Sequence, residues 1–163
     1  MQQHSLVVPE VSRLRAGVEA GVVAAAATGG LLARAAALAG DGATAPFAAA
    51  GRRLLGIALG DGAWAQRLAV AGGVVVHVAL AMAWGVALAL VAWRWRGARF
   101  WAAVTALACL TWALDAGILP PLLRFGHGIR ASRPQAMLLH TVLALTLAIG
   151  MRLAQQRGRV AEQ

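Results

Sequence analysis

Residues 68–93 read LAVAGGVVVHVALAMAWGVALALVAW, 26 residues fenced by Arg67 and Arg94, with His77 the one titratable side chain among them. An α-helix rises about 1.5 Å per residue and needs roughly 20 apolar residues to cross the hydrocarbon of a bilayer. This stretch is long enough with residues to spare, so it reads as a transmembrane helix. Measured the same way, residues 100–123 form a second apolar run of 24 between Arg99 and Arg124, interrupted only by Asp115. Residues 134–151 form a third, 18 long between Arg133 and Arg152, with His140 inside. The span nearest the N-terminus, about 16–39, carries Glu19 near its start and Arg34 near its end. Both lie close enough to an end for their heads to reach the interface by snorkelling. The expected fold is an all-α integral membrane four-helix bundle, a single membrane domain over residues 1–163.

Composition agrees with that reading. The chain is 60% hydrophobic and 13% charged, against roughly 45–50% and 25% for soluble domains. Of its 163 residues, 59 are Ala or Gly. A net charge of +9 comes from 15 Arg and no Lys. The Arg residues sit singly or in small groups at the ends of apolar runs, with no basic stripe bearing stacking aromatics. The charge is therefore membrane flanking, and nucleic-acid binding is excluded. The expected surroundings are the lipid bilayer and other membrane proteins.

With four spans, the two sides of the membrane carry 8 and 7 Arg, which does not orient the chain. The short loop from Trp93 to Trp101 does. It holds Arg94, Arg96 and Arg99, framed by Trp93, Trp95 and Trp101 at headgroup depth, the signature of a cytoplasmic turn. Both termini are then cytoplasmic. Ala37-Leu38-Ala39 before Gly40 has the form of a signal-peptidase site. Glu10 stands where a basic region belongs, however, and Glu19 and Arg34 bound the apolar run. A retained first helix is the favoured reading, and a cleaved one the alternative.

Between the first two spans, Gly40-Asp41-Gly42 and Gly60-Asp61-Gly62 repeat one turn, with Gly free to take positive φ. Between them Pro46 opens a helix within residues 44–59, and Phe47, Leu54, Leu55 and Ile57 oppose Arg52 and Arg53. This is read as a short interfacial amphipathic helix serving as a connector. The second and fourth spans match at an offset of 63: Gly73, His77, Ala81 and Gly85 against Ala136, His140, Ala144 and Ala148. A stripe of small residues lets helix backbones approach closely, and Gly17, Gly21, Ala25, Gly29 and Ala33 mark another. The shared His makes a duplicated two-helix hairpin one reading of the pattern.

Titratable groups inside hydrocarbon are costly, so His77, Asp115 and His140 are the candidate site. Counting from the Arg fences at about 1.5 Å per residue, they lie ~15, ~13 and ~10 Å from the same end of the bundle. Thr111, one turn before Asp115, is placed to hydrogen-bond its carboxylate. The plain expectation is that these groups bond one another or a backbone carbonyl and fix helix register, in a non-enzymatic structural or accessory membrane component. The alternatives use the same trio as ion- or proton-relay groups, as axial haem ligands (His77 and His140), or as a zinc or copper site with Asp115 as third ligand. No cofactor is favoured, and no hydrolase or nucleotide-binding motif is present. Pro120 and Pro121 end the third span, His127 falls in the following loop, and Cys109, with no second Cys, is expected to pack.

The order of these features resembles the YagU-like small bacterial inner-membrane proteins over about residues 16–152. The matching residues are Gly17 and Gly21, His77 with Gly85, Asp115 with Pro120 and Pro121, and His140. Where that pattern has a further His in the third helix, this chain has Trp112 and Asp115. The resemblance implies topology and an inner-membrane location, and it implies no activity.

Overall fold

Every proline of the chain stands at or beyond the end of an apolar run, so Ala-rich helix can propagate unbroken through each. A computed structural model describes residues 10–55, 62–118 and 133–160. Five α-helices follow in order: α1 (Glu10–Leu38), α2 (Ala45–Leu55), α3 (Ala63–Ala92), α4 (Gly97–Ala113) and α5 (Arg133–Val160). A π-helical turn, Leu114–Ile118, extends α4. There are no strands among the described residues. Four helices are long and apolar enough to cross a membrane, over Arg13–Leu38, Ala63–Ala92, Gly97–Ala116 and Pro134–Arg157. The chain is a multi-pass, all-α membrane bundle. Pro120, Pro121, His127 and Asp61 lie outside the described residues.

Outside one core of larger side chains, the packing places small residues inside and large ones outside. Ala20, Ala24, Ala69, Ala89, Ala92 and Ala148 are fully buried, while Val22, Val23, Val75, Val91, Trp101 and Ile149 are exposed. A water-soluble core would invert this. In lipid nothing drives large side chains inward, and close backbone contact is what holds helices together. Each stripe read from the sequence lies at such a contact. Gly17 and Gly21 of α1 meet Gly85, Ala81 and Met82 of α3. A Cβ on Gly17 would stand 2.7 Å from the Val86 Cα and 2.8 Å from the Gly85 carbonyl oxygen. On the other side of α1, a Cβ on Gly150 of α5 would stand 2.8 Å from that of Ala20.

These contacts order the helices. α1 lies between α3 and α5, antiparallel to α3, and α4 pairs with α5. Two antiparallel hairpins result, α1 with α3 and α4 with α5. At one end, Leu88, Ala89, Phe100, Val104, Leu107, Leu147 and Met151 form a closed core. The tight turn between α3 and α4 seals that end. Arg96 donates to the carbonyls of Trp93 and Trp95, both at 3.0 Å, and Gly97 takes a φ of +54°. Gln155 of α5 donates to the same Trp93 carbonyl at 2.8 Å, and the Arg152 guanidinium lies 3.7 Å over the Phe100 ring.

At the opposite end the helices separate. α1 stops in a Schellman turn, where Gly40 (φ +83°) lets its N–H reach the Ala37 carbonyl and the Asp41 N–H reach that of Ala36. The expected turn glycine Gly42 likewise takes positive φ, +81°. The amphipathic segment is helical, as α2, with Pro46 in its first turn. It lies lengthwise on α3: Phe47 faces Gly73, and Gly51 faces Ala69. Those pairings run in opposite directions along the two helices, so α2 is antiparallel to α3. Only glycine at positions 51 and 73 admits so close an approach, since a Cβ on either would run into a carbonyl oxygen.

Candidate functional site

Each of the three sequence candidates projects from a helix at the open end, and the structure brings them to one cavity. It measures about 130 Å³ and lies among α1, α2, α3, α5, the last turn of α4 and the π turn. His77, Asp115 and His140 all line it, with Thr28 and Thr111. Most of the remaining wall is apolar: Leu32, Phe47, Leu80, Trp84, Leu139 and Leu143.

His77 is fixed by α1. Its Nε2 lies 3.2 Å from the Ala25 carbonyl oxygen and 3.1 Å from Thr28 Oγ1. A carbonyl only accepts, so Nε2 carries the proton. The Thr28 hydroxyl donates to the Ala24 carbonyl at 2.7 Å, so it too accepts from Nε2–H. The Phe47 ring meets the imidazole edge-on, with centroids 5.7 Å apart and planes at 78°. This geometry sets the tautomer and leaves Nδ1 unprotonated.

His140 and Asp115 form the second pair. His140 Nε2 stands 3.4 Å from Asp115 Oδ2, and both residues are buried, 8% and 7% exposed. His140 Nδ1 is buried with no hydrogen-bond partner among the described residues. With the proton on Nε2, facing the carboxylate, Nδ1 is a bare acceptor. The reverse arrangement would bury an N–H with nothing to receive it, the more costly choice. Asp115 sits on the π turn, the single place among the described residues where helical pitch is irregular. π turns are rare and gather at functional sites.

The two hairpins thus share a plan. In each, a His on the second helix turns Nε2 toward the first. Thr28 of α1 went unremarked in the sequence because a lone Thr in an Ala-rich helix carries no pattern. The depth arithmetic applied to His77 would have found it. Thr111 lines the cavity one turn before Asp115, and its hydroxyl donates to the Ala108 carbonyl at 3.1 Å. Glu19, expected to reach the interface, pairs with Arg15 at 2.8 Å on an exposed face of α1. Cys109 does not pack as expected: it is exposed, on the outer face of α4.

His77 Nε2 is engaged by α1, and the cavity approaches the ~150 Å³ of a site that holds one benzene ring, far short of a porphyrin. Among the described residues, no group of three His, Cys, Asp or Glu is placed to hold a metal ion. Comparison of the chain with protein-family models, with curated proteins and with solved structures returns no match.

Proposed function

We propose that the protein is a multi-pass component of the bacterial inner membrane, with both termini in the cytoplasm and a non-enzymatic, accessory role. The observation that carries this reading is that the titratable side chains lining the bundle's cavity are engaged between helices. His77 bonds α1, and His140 bonds Asp115. Such bonds fix helix register without requiring chemistry. The Trp- and Arg-rich turn supports the orientation, and the resemblance to YagU-like proteins supports the location.

Interhelical hydrogen bonds in membranes average about 0.6 kcal/mol and reach about 1.7. His77→Ala and His140→Ala should each lower unfolding stability in detergent by about 1 kcal/mol, with the double variant close to additive. A double variant as stable as the parent would overturn the reading.

A second reading, an ion- or proton-handling bundle, is favoured by one specific fact: all three groups open on a single cavity. Reconstituted vesicles under a pH gradient distinguish the two, since the accessory reading predicts no protein-dependent proton flux.

A further inference from the structure

The turn between α3 and α4 joins two apolar spans, α3 ending at Ala92 and α4 beginning at Gly97, and so stands at a membrane surface. It carries Arg94, Arg96 and Arg99, all exposed, beside Trp95 and Trp101, 41% and 50% exposed. No acidic residue occurs from position 62 to position 114. Among the described residues, none of these three guanidinium groups has a carboxylate partner, and Glu19, at the same end of the bundle, is engaged by Arg15.

Arg96 is the one whose direction is fixed. Its Nη1 donates to the carbonyls of Trp93 and Trp95, both at 3.0 Å, which uses both Nη1 protons. The Nε–H and Nη2–H edge is left over, with no acceptor among the described residues. These are two parallel donors in the fork geometry that grips two oxygens of one anion. Holding a long side chain still is part of the cost of binding, and here the turn has already met it. Trp rings exposed beside an apolar span sit among lipid headgroups, so the anion that meets this edge is a lipid's.

We infer that the turn is a binding site for the phosphodiester of an anionic phospholipid. Arg96 grips two phosphate oxygens, Arg94 and Arg99 supply charge, and Trp95 and Trp101 lie alongside the glycerol. A zwitterionic headgroup fits less well, because its ammonium meets three cations and no acid within the turn. The site needs the turn at a membrane surface and is indifferent to which side that surface faces. Its failure would therefore leave the proposed topology and accessory role untouched.

The test uses the full chain, delipidated in neutral detergent, with native mass spectrometry counting bound phosphatidylglycerol or phosphatidylcholine. The first phosphatidylglycerol should bind about tenfold tighter than phosphatidylcholine, and equimolar inorganic phosphate should not displace it. Arg99→Gln should weaken phosphatidylglycerol about fivefold, the worth of one cation at an anionic surface. Arg96→Lys keeps the charge and loses the paired donors, and should weaken it about threefold. Arg34→Gln combined with Arg67→Gln removes two exposed charges at the other end of the bundle and should leave the preference intact. Equal binding of the two lipids, displacement by phosphate, full affinity in Arg96→Lys, or an equal loss in the Arg34 and Arg67 pair would each overturn the proposal. Should Arg96→Lys not fold, the lipid series on the parent chain and Arg99→Gln still decide.

Discussion

At the scale of single residues, the structure is sensitive where it is smallest. Gly17 of α1 leaves no space for a side chain, its nearest neighbours being backbone atoms of Gly85 and Val86, which cannot swing aside. Gly30, on the same helix, meets nothing within 4 Å. Gly17→Val should therefore cost about 1–3 kcal/mol through overpacking, while Gly30→Ala should be neutral or slightly stabilising through better helix propensity. Thermal unfolding in detergent measures both. A Gly17→Val protein as stable as the parent would mean that α1 and α3 do not cross there. Cys109 supplies a second check. It lies ten residues beyond Arg99, about 15 Å into the hydrocarbon by helical rise, on a face that looks outward. A water-soluble maleimide should leave it unlabelled in intact membranes and label it after denaturation in SDS. Rapid labelling in intact membranes would place that face of α4 against water.

At the scale of elements, the turn between α3 and α4 is held by α5. Removing the amide of Gln155 takes one bond from the Trp93 carbonyl, which still accepts from Arg96. Gln155→Leu should accordingly lower stability by about 1 kcal/mol. The loss should localise to the turn as faster amide hydrogen exchange at residues 93–97, and uniform acceleration across all helices would contradict a local role. The elements also show what was legible beforehand. The four helices were, because Arg stands near the ends of the apolar runs, although α1 begins at Glu10, before the expected start, and α5 runs on past Arg152 to Val160. The direction of α2 was not. Its amphipathic pattern records one apolar face but not which surface covers it, and only Gly51 and Gly73 together reveal that the covering surface is α3.

At the scale of the whole molecule, one end is closed by aromatic and long apolar side chains, and the other holds a cavity lined by the buried Asp115 and His140 and the half-buried His77. The sequence disclosed that polarity indirectly. His77, Asp115 and His140 lie at matching depth from their Arg fences, a statement about distance along each helix. That they also point inward is a matter of rotation, which depends on packing, and on the π turn for Asp115. Orientation across the membrane is testable at this scale. With Cys109 replaced by Ala, a single Cys at position 98 should label from the cytoplasmic side alone, and one at position 64, where Trp64 is exposed at the other end of α3, from the opposite side alone. The reverse pattern would invert the proposed topology.

The π turn has one further consequence. Relative to an α-helix, a π turn accommodates a residue too many, and each residue advances the helix by about 100°. Deleting Ala113 should let the turn relax to ordinary pitch and draw Asp115 back into the position of Leu114, rotated by about 100° away from His140. The closed core built on Phe100, Val104 and Leu107 lies before that point and keeps its register. One codon thus separates the bundle as a scaffold from the bundle as a site.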